Sequence, residues 1–254
     1  MTFEDISLEI ADGVAKITMQ RPDRLNALRN QTGDELQAAF DAVEKKPEVR
    51  AVIFTGEGRA FGAGYDLSVI EPDIVPDLAK VLQDHFNPLT IKMRDSRLPI
   101  ISVINGPCAG ASVGLALSGD IVIAGKSAYF YEAFVGLALI PDAGNTIFLP
   151  RFAGRIRAAA AMLLGERISA EEALSWGMVW RVYEDDELMA RAVEMAQKLS
   201  GLSPKSVSLT KSLISQASEE GLALQLDLER DAQGDVCKGP EMKTSVAKFF
   251  ASRR

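Results

Sequence analysis

The chain has 254 residues, 47% hydrophobic and 25% charged, the composition of an ordinary globular protein long enough for one large domain or a domain plus a subdomain. A net charge of -7 argues against nucleic acid or an anionic membrane as the main partner, so any anionic ligand must be held by local basic groups or helix ends. No apolar run approaches the ~18 residues of a membrane span, the acidic opening MTFEDISLEI is unlike a secretory signal, and Cys108 and Cys237 have no metal or redox spacing; a cytoplasmic protein with reduced thiols and no metal is expected.

In chain order, Ile6 to Ile10 and Val14 to Met19 alternate around Ala11-Asp12-Gly13 and predict a β-hairpin. After RPDRLNAL (21–28), Thr32 and Glu35 have the spacing of a Thr-x-x-Glu capping box. Leu36, Phe40 and Val43 mark the inward face of the helix expected to follow. Ala51 to Phe54 predicts a buried strand leading into the glycine-rich GEGRAFGAGYDL (56–67). That loop fails the dinucleotide fingerprint: counted from Gly56 and Gly58 the third glycine belongs at 61, where Phe61 stands. Between Pro76 and Arg97, Leu78, Leu82, Phe86, Leu89 and Met93 fall at helical spacing, with Pro88 placed to kink the helix. His85, the only histidine, flanks this stripe and reads as a packed or pocket-wall side chain rather than a catalytic one.

The stretch PIISVINGPCAGASVGLALSGDIVIA (99–124) predicts strand, turn, a small-residue helix over Ala109 to Leu117, and strand. Gly110, Ala111, Ser112 and Gly114 leave the backbone nearly bare. This suits a helix N-terminus whose free N–H groups and dipole meet a ligand, and it equally suits tight packing of helix on sheet; both readings stand at this level. Residues 110–114 also match G-x-S-x-G, the nucleophile elbow of serine hydrolases, but that chemistry needs a histidine later in the chain, and none follows Ser112. Downstream, Tyr129 to Phe134 is aromatic-rich, and GLALIPDAGNT (136–146) carries Asp142 into a proline and glycine turn.

Helical signals then dominate. Ser169 and Glu172 form a second capping box, Ser203 caps a helix with Pro204 at its first position, and Leu188, Ala192, Met195 and Leu199 make an apolar stripe. Leu222, Leu224, Leu226 and Leu228 alternate as in a strand, but the Glu, Gln, Asp and Arg residues around them predict a solvated helix. Strands alternate with helices up to Val182 and helices alone follow. The expected organisation is an α/β core over 1–195 and an all-helical C-terminal subdomain over 196–254.

Taken together, RPDRLNAL, RAFGAGYDL (59–67), INGPCAGASVGLALSGDIVIA (104–124) and IPDAGNTIFLPRFAGR (140–155) resemble, in this order and spacing, the enoyl-CoA hydratase/isomerase or crotonase superfamily over nearly the whole chain. Within it, IPDAG, SAEEALSWGMVWRV and QLDLERD most resemble the ring-1,2-epoxyphenylacetyl-CoA isomerases of phenylacetate breakdown. The resemblance implies an α/β fold, a spiral of ββα turns with a C-terminal helical region that builds homotrimers or hexamers. It also implies an acyl-CoA substrate whose thioester oxygen is bound by two backbone N–H groups, matched here by Tyr65 and Ala111. Such preorganised donors stabilise an enolate by about 3 kcal/mol each.

The same match shows departures. Hydratases of the superfamily carry two glutamates, and the matched positions are Gly114 and Phe134. Asp142 falls where the epoxide isomerases, and dehalogenases of the superfamily, carry a catalytic aspartate. A helix-capping role is its alternative, and catalysis is favoured because no other acidic residue falls at a matched catalytic position. Glu132 coincides with neither glutamate position, so its role is open. By resemblance Arg24, Leu25, Ala27, Ala63, Asp66 and Leu67 flank the adenine and pantetheine of CoA, and Phe249 and Arg253 approach the nucleotide from the chain's own or a neighbouring subunit. Ser252 stands where relatives often have a lysine. The expected activity is acyl-CoA isomerisation, of a 3-enoyl-CoA or of ring-epoxidised phenylacetyl-CoA, with Asp142 carrying the proton and no cofactor beyond the CoA of the substrate. The alternatives are an enoyl-CoA hydratase using one carboxylate and a non-catalytic acyl-CoA-binding or assembly protein.

Overall fold

Asp12 and Gly13 both take left-handed backbone, φ 51° and 77°, as a two-residue hairpin turn requires. They join β1 (Ile6–Ala11) to β2 (Val14–Met19) as antiparallel partners. The computed structural model describes residues 2–69, 77–217 and 220–251; the site candidate Arg253 and the expected helix start at Pro76 lie outside them. Helix α1 (Asn30–Glu44) buries Leu36, Phe40 and Val43 as its periodicity predicts. Its start differs from the expected one. Thr32 is already inside the helix, its Oγ1 accepting the Arg29 N–H at 3.2 Å, and Glu35 accepts the Glu4 and Asp5 N–H groups at 3.0 and 2.8 Å instead. The Thr32–Glu35 capping box therefore does not form, because the segment just ahead of β1 supplies Glu35 with two backbone donors.

β3 (Ala51–Gly56) is buried throughout and pairs in parallel with β2. The periodic stretch around Pro88 is helical in three pieces: α2 (Leu78–Val81), one π-helical turn (Leu82–Phe86) and α3 (Asn87–Asp95), with Pro88 in the first turn of the last. Proline has no N–H for the carbonyl one turn earlier, and the wider turn absorbs the break. His85 Nδ1 lies 2.6 Å from Asp34 Oδ1 on α1, so it fastens this segment to α1.

β4 (Ile100–Ile104) is followed by a short strand β5 (Pro107–Ala109) where a turn was expected, with helix from Ala109. Gly110, at φ 55°, turns the chain, and α4 (Ala111–Leu117) starts only after it. The rest of the chain alternates as β6 (Ile121–Gly125), β7 (Tyr129–Tyr131), α5 (Asn145–Ala153), α6 (Arg155–Leu164), β8 (Arg167–Ser169), α7 (Ala170–Trp176) and β9 (Arg181–Tyr183). Four helices complete it: α8 (Leu188–Ser200), α9 (Pro204–Gln216), α10 (Leu222–Val236) and α11 (Pro240–Ala251). The capping box at Ser169–Glu172, the Ser203 cap and the helical state of the alternating leucines are all as the sequence predicts.

One sheet has the order β1-β2-β3-β4-β6-β9, parallel from β2 onward, and β5-β7-β8 form a second. The units β4-β5-α4 and β6-β7-α5 each send one strand to each sheet before their helix. Along the parallel strands alternate side chains face opposite cores: Val52, Phe54, Ile100 and Ile104 face the main cluster, while Ala51, Ile53, Ile101 and Val103 meet Leu188, Ala192 and Ala196 of α8. α8 is one unbroken helix packed on the sheet, so the division expected between 195 and 196 falls inside it, and the chain leaves the core only after Ser200. Lys211 on α9 ties the following helices down. Its buried ammonium donates to the Met93 and Leu98 carbonyls and to Asp120, each at 2.9 Å.

No helix of the described residues is long and apolar enough to cross a membrane, and no group of three or more His, Cys, Asp or Glu among them is placed to hold a metal ion.

Candidate active site

Two tight turns meet at the site. Gly64 (φ 83°) and Gly110 (φ 55°) adopt backbone that side chains resist, and a Cβ built on Gly110 would lie only 3.5 Å from the Gly64 Cα. The residues that follow them, Tyr65 and Ala111, line one cavity. Ala111 is the first residue of α4, whose N–H has no carbonyl to bond within the helix. Among the described residues no acceptor is seen for the Tyr65 N–H either, although its neighbours bond across to Leu28. The structure therefore brings together the two backbone donors named from the sequence.

Two polar side chains hold this geometry that sequence reasoning did not single out for it. Ser112, fully buried, accepts the Gly64 N–H on its Oγ at 3.2 Å, and the Asn145 amide donates to the Gly110 carbonyl at 3.1 Å. Ser112 is thus a brace between the two turns and not a nucleophile, since it has neither exposure nor a base. Ser112→Ala should leave kcat within about tenfold and cost about 1–2 kcal/mol of stability, the ordinary consequence of orphaning a buried donor. Denaturant titration beside a rate assay checks this, and loss of several orders of magnitude in kcat with thioester binding intact would restore the nucleophile reading.

The cavity, about 140 Å³, is also lined by Leu78, Val81, Leu82, Phe86, Phe134, Leu137 and Leu139. Among the described residues only Tyr65 and Asp142 bring polar side chains to it. The tyrosine hydroxyl is engaged, donating to Asn30 Oδ1 at 3.0 Å, and its ring meets Phe86 edge-on. Asp142 Oδ1 is buried without a hydrogen-bond partner among the described residues. The capping alternative is not what the structure shows: the first turn of α5 begins after Gly144, which provides no side-chain cap, and only the Asp142 backbone carbonyl accepts from Asn145. Burial pushes the Asp142 carboxyl up from 3.8 to about 6. A carboxylate tuned this way, beside donors suited to an oxyanion, can take a proton from a carbon acid and return it.

Gly114 and Phe134 occupy the matched glutamate positions, and both have structural reasons. Phe134 is a wall of the cavity. A Cβ on Gly114 would sit 2.2 Å from the Ala143 carbonyl oxygen, so the Asp142 loop fills the space that a side chain there would need.

Of the residues matched to CoA contacts, Ala63 and Leu67 line the cavity mouth and are exposed. Leu25 sits at φ 50° in a loop anchored by the buried Asn26, whose amide donates to the Glu57 and Ala60 carbonyls at 2.9 and 2.8 Å. Ala27 is buried there and Arg24 is exposed. The Asp66 side chain is turned into the protein, 2.8 Å from Arg21 Nη2 and bonded by Ser68; burial raises its carboxyl, but these hydrogen bonds outweigh that and hold it low. Phe249, half exposed on α11 against Phe250, is not among the cavity residues.

The sequence model of the family described as enoyl-CoA hydratase/isomerase matches residues 9–254. A 1,2-epoxyphenylacetyl-CoA isomerase of Escherichia coli (strain K12) is 40% identical over 99% of this chain and 97% of its own length. A Rhodobacter capsulatus protein named "Probable enoyl-CoA hydratase" is 36% identical over 100% of this chain and 97% of its own. Among solved structures, an enoyl-CoA hydratase from Bacillus anthracis superposes with a TM-score of 0.92 at 30% identity, covering 98% of this chain and 97% of that one.

Proposed function

Because the chain belongs to the enoyl-CoA hydratase/isomerase family, whose model and relatives match nearly its full length, we propose that it is an acyl-CoA isomerase. Asp142 is its proton carrier, and the N–H groups of Tyr65 and Ala111 hold the thioester oxygen. The observation that carries this reading is the cavity itself: among the described residues, two free backbone donors and one carboxylate with an unpartnered oxygen stand in otherwise apolar walls.

With a 3-enoyl-CoA, Asp142 takes the proton from the carbon next to the thioester. The electron pair delocalises onto the carbonyl oxygen between the two N–H groups, and the protonated Asp142 returns the proton at the far end of the double-bond system, leaving the 2-enoyl-CoA. A cavity of about 140 Å³ walled by Leu, Val and Phe is close to those that take up a single benzene ring. A compact acyl group therefore fits, a short enoyl chain or the epoxidised ring of the E. coli relative's named substrate. In this reading the loops that carry Arg24, Leu25, Ala27, Ala63, Asp66 and Leu67 flank the CoA, as the family resemblance implies, and no group beyond the substrate's own CoA is needed.

Hydration by Asp142 alone is the second reading, favoured by the hydratase names among the relatives. The test is a panel of purified acyl-CoA thioesters. Conversion of a 3-enoyl-CoA or of the ring-epoxide, with 2-enoyl-CoA hydration at least about tenfold slower, supports the isomerase. Faster hydration supports the second reading, and tight binding without turnover supports a non-catalytic thioester-binding role.

The helices after Ser200 bear on assembly. Leu222, Leu224 and Leu226 on α10, Phe249 and Phe250 on α11 and Ile156, Leu163 and Leu164 on α6 are all exposed. That is more apolar surface than a monomer keeps in water. A trimer or hexamer is expected, giving a light-scattering mass of about three or six times 27.5 kDa at micromolar concentration; a 27.5 kDa species would exclude it.

A further inference from the structure

Glu132 has no part in the proton path above, yet its placement is costly. It follows β7 and directly precedes Ala133 and Phe134, which line the cavity, and it is 1% exposed. Neither of its carboxyl oxygens has a hydrogen-bond partner among the described residues. A carboxylate held this way would be an uncompensated buried charge, whereas a carboxylic acid is tolerated.

The groups around Glu132 come from four elements. Asp142 acts on it from the loop ahead of α5, and the fully buried Cys108 of β5 sits across the small sheet, its thiol pushed up by burial and then by Glu132. On β8, Arg167 pairs with Tyr131, but its guanidinium lies 4.5 Å over the Tyr129 ring and forms no ion pair with Glu132 among the described residues. At the end of α6, Gly165 faces the Glu132 carbonyl and the neighbouring Glu166 is exposed. Glu132 therefore has two potential anions near it and no cation paired with it.

Resting on the reading of Asp142 as proton carrier, we propose that Glu132 is the proton-holding partner of Asp142: a positioning residue that stays uncharged behind the cavity wall, so that the pair's single negative charge sits on Asp142. Two carboxyl groups in one apolar region do not both ionise cheaply, and the more deeply buried one keeps the proton. Burial, and after it the charge on Asp142, push Glu132 from 4.5 up to about 8, while Asp142 rises only to about 6. Between those values the pair holds one proton, and the group that faces the substrate is the base. Above about pH 8 Glu132 ionises as well. Asp142 then holds the substrate's proton too tightly to return it efficiently, and the enolate forms beside a second negative charge.

The experiment compares kcat against pH for the wild type and Glu132→Gln. The wild type should rise through about pH 6 and fall above about pH 8. The variant should keep the rise and lose the fall, so that its rate relative to wild type grows at least about fivefold from neutral to strongly alkaline pH. A structural role would instead scale the whole curve. Superimposable shapes, or a wild-type profile flat or rising above pH 8, overturn the proposal. A second arm leaves Glu132 in place: carboxyl carbon NMR of glutamate-labelled protein should show its titration moving down by at least about half a pH unit in Asp142→Asn, because a like charge has gone. An unmoved titration overturns the coupling even if Glu132→Gln fails to fold. Full activity of Asp142→Asn would refute the underlying mechanism alone, since the NMR arm reads the pair without turnover.

Discussion

Asp142→Asn is expected to lower kcat by about 10²- to 10⁴-fold, the usual contribution of a general acid–base group, while product affinity changes by less than about tenfold. An amide can neither take the proton at one carbon nor return it at another. The donors at Tyr65 and Ala111 are backbone groups that the change does not touch, so thioester binding should persist. The same substitution should stabilise the fold. The carboxyl rises from 3.8 when unfolded to about 6 in the native protein. Its contribution to stability is therefore full below about pH 4, is lost as pH climbs, and is gone above about pH 6. The difference of about two pKa units is worth roughly 3 kcal/mol at most. Removing the charge at pH 7 should recover part of this, raising Tm by a few degrees. A variant that is inactive and more stable separates catalysis from misfolding; one that keeps more than about a tenth of wild-type kcat, with chemistry rate-limiting, excludes Asp142 as the carrier.

The second large effect is expected at Gly114, where the smallest side chain is already too big. An alanine Cβ would lie 2.2 Å from the Ala143 oxygen and 2.8 Å from its carbonyl carbon, both backbone atoms. Alanine would gain up to about 1 kcal/mol of helix propensity within α4. Relieving the overlap, however, means moving the Asp142 loop or α4 by about an ångström, an overpacking strain of about 3 kcal/mol or more. Gly114→Ala should therefore lower Tm by roughly 6–12 °C and lower kcat through displacement of Asp142. Gly114→Glu should not yield a hydratase, because the loop must retreat before a carboxylate can enter. Wild-type stability of Gly114→Ala in a thermal melt would contradict this packing, as would faster hydration by Gly114→Glu.

Features of the chain that depend on near neighbours were readable without coordinates. The hairpin at Asp12-Gly13, the caps at Ser169 and Ser203 and the helical state around Leu222 follow from turn chemistry, side-chain reach and composition within a few residues. Where a distant segment competes, such reading fails. Glu35 has the spacing of a capping residue, but Glu4 and Asp5, some thirty positions away, offer it two donors at once.

The site divides in the same way. Tyr65, Ala111 and Asp142 were found through motif resemblance, and the structure brings all three to one cavity. The braces Ser112 and Asn145 were not recognised, because each bonds a turn from another part of the spiral. The sequence shows a missing glutamate at Gly114, but only the fold shows a carbonyl in its place. Glu132, polar in a run of aromatics, carried the one visible signal of its burial: Phe130 and Phe134 two places to either side.

The order of the large sheet has a consequence for biosynthesis. From β2 to β9 every strand pairs with the one laid down before it, apart from those diverted to the small sheet. A chain leaving the ribosome can thus extend the sheet at a single growing edge, since each new strand finds its partner already made. Until β9 arrives that edge is IISVI and then IVIAG, apolar and unpaired, the form of edge that templates pairing between molecules. Completion substitutes a three-residue strand that begins with an arginine, too short and too charged to continue the ladder. A nascent chain interrupted after β4 or β6 carries the adhesive edge without its terminator, and so the position at which translation stops decides whether the fragment stays dispersed or joins its neighbours.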